Sequence, residues 1–187
     1  MQPILVAYAS TEGQTRKIAE FIAERLRTRG HRVDLVDTAG PDAEAVQPIY
    51  QAAFLGGSVH YYKHQASLAH FIKANIDWLK AVPTAFFSVG LAITQPHVDE
   101  REKARKLIDE FLQQTGLAPI KVRQVAGALK YTQYDFFKRL VERALSKHLP
   151  GSGDTAHDHE YTDWNDVELF VDEVLAAAKV PGAGKRA

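Results

Sequence analysis

The chain has 187 residues, with 23 basic against 23 acidic side chains and a pI of about 7.1. No net field draws it to a polyanion, which argues against a nucleic-acid partner. Cysteine is absent, and that removes disulfides, thiolate catalysis, iron–sulfur clusters and cysteine zinc sites from its chemistry. With 45% hydrophobic and 25% charged residues, it has the composition of a folded globular domain, and its length fits one such domain over 1–180 with a flexible tail at 181–187. The passage from Met1 straight into Ile4-Leu5-Val6-Ala7-Tyr8 lacks a basic region ahead of an apolar stretch, so the expected location is cytoplasmic. No apolar run nears the roughly 20 residues needed to span a bilayer.

Residues 3 to 9 form a short apolar run between turn formers. From 14 to 29, Ile18, Phe21, Ile22 and Leu26 lie on one helical stripe closed by Gly30, so the chain opens as strand, loop, helix. Arg32 to Asp37 alternates as an edge strand, and Ala52 to Ser58 is a buried strand. Leu68, Phe71, Ile72, Ile76 and Leu79 recur at helical spacing. Thr84 to Gly90 is a further strand, and Ala104, Leu107, Ile108, Phe111 and Leu112 form a helix ending near Gly116. Val122 to Leu129 is the fifth strand. Val167, Phe170, Val171, Val174 and Leu175 give a last helix with Thr162 and Asp163 as its caps.

Strands alternating with helices predict a parallel sheet covered on both faces, in the order 2-1-3-4-5. In such a sheet ligands bind at the carboxyl edge, at the switch point beside the first strand. The loop there is Ser10-Thr11-Glu12-Gly13-Gln14-Thr15. Its hydroxyls, its glycine and the helix N-terminus behind it suit a phosphate held without lysine. The plainer reading is that Ser10 and Thr11 only cap the helix. Glu12 is expected at the surface, its carboxylate turned away from the phosphate. Two other phosphate loops are ruled out. No G-x-x-x-x-G-K-[ST] follows a strand, the tail Gly182-Ala183-Gly184-Lys185-Arg186 has the wrong spacing, and no G-x-G-x-x-G occurs.

Together with Arg16-Lys17-Ile18-Ala19, this loop resembles the phosphate loop of flavodoxins. Gly56-Gly57-Ser58-Val59-His60-Tyr61, Ala85-Phe86-Phe87-Ser88-Val89, Ala126-Gly127-Ala128-Leu129-Lys130-Tyr131 and Tyr161-Thr162-Asp163-Trp164 extend the likeness. With them the chain resembles the flavodoxin-type, menaquinone-dependent protoporphyrinogen dehydrogenases over residues 3 to 178. That resemblance implies a flavodoxin-like fold, one FMN, a porphyrinogen substrate and a quinone acceptor. It puts the FMN phosphate on Ser10, Thr11, Glu12, Gly13, Gln14 and Thr15. The ring falls between the loops 57–62 and 88–95, against Ser58, Val59, His60, Tyr61, Ser88, Val89, Gly90, Leu91 and Ala92. Tyr61 or Tyr62 would stack on the ring or merely anchor its loop. His60 is the candidate proton relay, with a solvated neighbour as the bland alternative.

Two departures bear on substrate. The family tends to carry basic residues after its fourth strand, where this chain has Ile93, Thr94, Gln95 and Pro96. Carrier flavodoxins place an aromatic ring and acids there, and Ser88 to Gln95 holds neither. An electron carrier, a quinone reductase without porphyrinogen activity, and a non-enzymatic phosphate-ligand or protein-binding module are the alternatives.

From about Tyr131 to His159 runs an insertion longer than such a loop needs. In it Tyr134, Phe137, Leu140, Val141, Ala144 and Leu145 oppose Lys138, Arg139, Arg143 and Lys147. This suits either peripheral membrane contact through 134–149 or packing on the chain's own domain. Pro150-Gly151-Ser152-Gly153 ends it. His157, Asp158 and His159 are too few and too adjacent for a metal centre, so no metal is expected. Trp164 either packs or borders a substrate cleft, and no Ser-His-Asp set is legible.

Overall fold

The computed structural model describes residues 2–60, 62–91, 94, 98–129 and 159–179. The first strand, β1 (Ile4–Ala9), is buried at all six positions, as a strand covered on both faces must be. Gly13 follows with φ of +90° and leads into α1 (Gln14–Thr28), whose buried stripe is Thr15, Ile18, Ala19, Ile22, Ala23 and Leu26. Phe21 sits at its rim, against Trp164. Gly30, at φ +85°, ends that helix.

The chain continues through β2 (Val33–Asp37), a 3-10 turn at Pro41–Ala45, and β3 (Ala52–His60). It then runs through β4 (Lys63–His64), α2 (Ala66–Ala74), α3 (Ile76–Ala81), β5 (Thr84–Gly90), α4 (Val98–Thr115) and β6 (Lys121–Ala126). Beyond these lie β7 (Ala128–Leu129), β8 (His159–Glu160) and the last helix, labelled α5 (Trp164–Ala178).

The main sheet has the order β2-β1-β3-β5-β6 with parallel pairing throughout, which is the expected 2-1-3-4-5 once the hairpin strand β4 is set aside. The pleat sends alternate residues of β1 to two separate cores. Ile4, Val6 and Tyr8 pack under α1 and α5 with Phe54, Phe87 and Phe170. Leu5, Ala7 and Ala9 pack under α2, α3 and α4 with Leu55, Phe86 and Phe111. The edge-on contact of Phe54 with Phe170, 5.9 Å between centroids, pins α5 to the middle of the sheet.

Three expected elements are redrawn. The single helix over Leu68 to Leu79 is two, because Asn75 closes α2 by donating from Nδ2 to the Phe71 carbonyl (2.9 Å), and its Oδ1 accepts from Trp78 Nε1 (2.8 Å). The strand ending at Ser58 runs on to His60 and turns back as β4. The strand expected to reach Leu129 breaks at Gly127, after which β7 leaves the main sheet to pair with β8. The insertion from 131 to 158 lies outside the described residues. No helix among the described residues is long and apolar enough to cross a membrane.

Candidate cofactor site at the carboxyl edge of the sheet

Parallel pairing brings the ends of β1, β3, β5 and β6 to one edge, with Ala9 beside Gly57, Ser58 beside Val89, and Gly90 beside Ala126. The loop 10–15 is folded on itself. Ser10 Oγ accepts from the Gly13 amide at 2.9 Å, and only a residue at ease with φ +90° closes that turn cheaply. Ser10 therefore closes the loop, while the N-cap of α1 is Gly13 and no side chain caps it. Thr11 is exposed and accepts from Gln65 Nε2 at 3.1 Å. Gln14 is nearly buried and turns aside to donate from Nε2 to Thr162 Oγ1.

Thr15 is 1% exposed, and its hydroxyl is a buried polar atom that lacks a hydrogen-bond partner among the described residues. Such an atom costs about 1–3 kcal/mol unless something satisfies it. Glu12 contradicts its expectation. Its side chain is 17% exposed, because the loop lies down against the end of β3, where Glu12 Oε1 is 3.9 Å from His60 Nε2.

On the other side, Ser58 Oγ accepts a short hydrogen bond from the same Gln65 Nε2 that reaches Thr11. Gln65 therefore bridges the two loops, and its own Oε1 is buried without a partner among the described residues. Gly57 makes room for it, since a Cβ there would lie 2.7 Å from Leu68 Cδ2 and 3.2 Å from Gln65 Oε1. Val59 and His60 pair with His64 and Lys63 in the β3–β4 hairpin. Tyr62 at its tip is 70% exposed with φ +60°, a left-handed conformation strained for a bulky residue. Tyr61 lies outside the described residues.

Ser88 is 4% exposed, and its hydroxyl lies 2.9 Å from His64 Nε2. The His64 ring packs against Phe111 and Phe86 at 4.5 and 5.5 Å. Burial pushes its pKa down to about 4, so it is neutral at pH 7. Val89 is buried in the α1/α5 core. The Gly90 carbonyl accepts from the Gly127 amide at 3.2 Å, and the Leu91 carbonyl accepts from Thr94 Oγ1 at 2.7 Å. Ala92, Ile93, Gln95 and Pro96 lie outside the described residues.

A cleft of about 460 Å³ opens beyond Thr94, lined by Arg123, Gln124, Asp163 and Asp166 among others. Arg123 brings no free cation to it. Asp166 at 2.6 Å and Glu173 at 3.1 Å neutralise the guanidinium.

Asp163 caps α5, accepting from the Asn165 and Asp166 amides at 3.0 and 3.1 Å. Thr162 does not share that work, since its hydroxyl donates to the Ala126 carbonyl at 2.7 Å. Trp164 packs, its ring tilted against Phe21 at 4.9 Å and its Nε1 donating to Glu160. Sequence reasoning missed His64 and Gln65. A two-residue strand after a hairpin carries too little periodicity to reveal them, and the bonds of His64 to Ser88 and of Gln65 to Thr11 span 24 and 54 residues of chain.

The residues present fit a phosphorylated flavin on one observation above all. An unpartnered hydroxyl lies buried in the first turn of α1, a turn without acidic residues, directly after a left-handed glycine. A family model described as "Flavodoxin domain" matches residues 5–156. The protoporphyrinogen IX dehydrogenase [quinone] of Escherichia coli (strain K12) is 28% identical over 177 residues, covering 95% of this chain and 97% of that protein. The protein of the same name from Leishmania major is 32% identical over 174 residues, covering 92% of this chain and 74% of that one. Among solved structures, the Streptococcus pneumonia TIGR4 flavodoxin superposes with a TM-score of 0.56 at 18% identity, over 92% of this chain and 97% of that one. Fold order, loop placement and the matched family model agree, and the chain belongs to the flavodoxin family, whose members imply a flavin cofactor.

Proposed function

We propose that the protein is an FMN-dependent oxidoreductase that oxidises protoporphyrinogen IX to protoporphyrin IX and passes the electrons to a quinone. The observation that carries the cofactor assignment is the orphaned Thr15 hydroxyl in the first turn of α1. The printed name of relatives that align along nearly the whole chain supports the substrate. When bound, the flavin supplies the redox chemistry, accepting hydrogen equivalents from the reduced substrate and releasing electrons to the acceptor.

The chain's own part is to bind and orient. Ser10, Gly13 and Thr15, with the amides of the first turn of α1, would hold the phosphate. Thr11, Gln65 and Ser58 line the way to the ring, and the β3–β4 hairpin and the end of β5 would flank it. His64 keeps Ser88 and the hairpin in register as a neutral ring. His60 remains the candidate for moving a proton at the substrate edge, with Glu12 3.9 Å away to orient it.

The test is anaerobic: FMN-loaded protein, protoporphyrinogen IX and a menaquinone analogue, with porphyrin fluorescence as the readout. Turnover supports the assignment, and its absence overturns the substrate. A quinone presents itself at the bilayer, and the basic amphipathic stretch 134–149 is the proposed contact. Liposome sedimentation checks it, with Phe137→Asp expected to release the protein.

One observation favours a second reading, an electron carrier or quinone reductase without porphyrinogen activity. Thr94 stands where the family tends to be basic, and the nearby Arg123, which lines the cleft with it, is already neutralised by two carboxylates. Rapid two-electron quinone turnover without porphyrin formation would support this reading.

A further inference from the structure

We propose that Thr162 is a positioning residue for the cofactor site. It acts from the far end of the chain by fixing the first turn of α1. The inference rests on the flavin reading above.

Residues 159–164 re-enter the fold between two structures that never meet in sequence. On one side they join the ends of the sheet. Glu160 and His159 pair with Ala128 and Leu129, Tyr161 N donates to the Gly127 carbonyl at 3.0 Å, and Thr162 Oγ1 donates to the Ala126 carbonyl at 2.7 Å. Gly127 is in turn bonded to Gly90, at the end of β5. On the other side they meet α1. Gln14 Nε2 donates to Thr162 Oγ1 at 2.9 Å, Lys17 Nζ reaches Glu160 Oε2 at 2.5 Å, and Lys17 stands over the Trp164 ring at 5.3 Å.

The Thr162 hydroxyl is the narrowest point of this bridge, donating to the sheet and accepting from the helix at once. Gln14 immediately precedes Thr15, so the amide that Thr162 holds sets where the first-turn N–H groups and the Thr15 hydroxyl lie. Those groups meet a phosphate. The ring side is tied by the Gly127–Gly90 backbone bond, which does not need the Thr162 side chain. Loss of that hydroxyl should therefore be felt at the phosphate end and not at the ring.

The experiment compares FMN with riboflavin, which lacks the phosphate, by flavin-fluorescence titration of the apoprotein. In Thr162→Val the FMN Kd should rise three- to tenfold and the riboflavin Kd should stay within twofold, while Thr162→Ser should restore FMN binding to within twofold of wild type. Gln14→Met should match Thr162→Val, and the double variant should be no worse than either alone, as partners in one interaction require. Equal weakening of both flavins would make Thr162 merely structural and overturn the proposal. Unchanged FMN binding in Thr162→Val, or additive losses in the double variant, would overturn it too. A wild-type protein that binds neither flavin would overturn the flavin reading itself, and this proposal with it.

Discussion

The loop 10–15 takes its shape from within itself, with Ser10 closing on Gly13 three residues away and α1 starting at once. The opposite side of the edge is assembled from distant pieces, in which His64 reaches Ser88, and Gln65 joins Ser58 to Thr11. The first side is closed by a local hydrogen bond, has no acidic residue in its helix turn, and carries an unsatisfied hydroxyl. The second is held by tertiary hydrogen bonds and aromatic packing around a neutral histidine. A site made this way has one half whose buried hydroxyl waits for a ligand and one half whose hydroxyls are already bonded within the protein, although Gln65 Oε1 has no partner among the described residues. Perturbing the first should therefore change affinity, while perturbing the second should change stability.

The hardest break of that contrast is Gly13→Glu. A side chain at φ +90° costs about 1–2 kcal/mol, and a carboxylate beside a phosphate adds repulsion. Flavin affinity should fall on the order of a hundredfold by titration. An unchanged Kd would remove the loop from the cofactor site.

His64→Phe tests the other half. Between pH 6.5 and about 4 the unfolded chain takes up a proton that folded His64 refuses. The His64 contribution to wild-type stability is therefore full above about 6.5, falls as pH drops through that window, and is flat below it. The whole window is worth on the order of 3 kcal/mol at about 1.36 kcal/mol per pH unit. Urea unfolding at pH 7 and pH 4.5 should show a clearly smaller pH penalty in the variant, since phenylalanine keeps the packing against Phe86 and Phe111. An identical pH slope would refute the buried neutral ring.

Thr15→Val should move the two observables in opposite directions. Apoprotein stability should hold or rise, because a buried hydroxyl without a partner is removed. FMN affinity should drop about tenfold, the worth of one hydrogen bond to a charged group. A loss of apoprotein stability of more than about 1 kcal/mol would mean that the hydroxyl is satisfied within the protein.

The smallest effect belongs to Glu160→Gln. Burial works to raise the Glu160 carboxyl, but hydrogen bonds from Lys17 and Trp164 outweigh it and hold its pKa below the usual range. The pair is still largely exposed, with Lys17 57% open. Thermal unfolding should therefore shift by no more than about 1 kcal/mol, and less in high salt.

The order of strands, the identity of the central strand and the position of the loop 10–15 were legible in the residues. All follow from short-range periodicity and turn chemistry, which act over a few neighbours. The two-sided burial of β1 is written as an unbroken apolar run, and the left-handed turn is written as Gly13. The break at Asn75 was hidden, because the apolar spacing of Leu68, Phe71, Ile72, Ile76 and Leu79 passes through it and the amide that ends the helix adds nothing to that pattern. The end of β6 was hidden likewise, since Val122 to Leu129 reads as one run and only pairing with β8 separates its last two residues.

Ser10, Gly13 and Thr15 could be singled out because the chemistry they suggest lies in one short stretch. Glu12 could not be placed, because whether a loop carboxylate faces water or a histidine 48 positions later depends on how the loop lies on β3. His64, Gln65 and the Thr162 hydroxyl, with its two hydrogen bonds, belong to the same class. A hydrogen bond across 24, 54 or 148 residues leaves no periodic trace, and only the folded sheet, by bringing strand ends to one edge, decides which polar groups meet there.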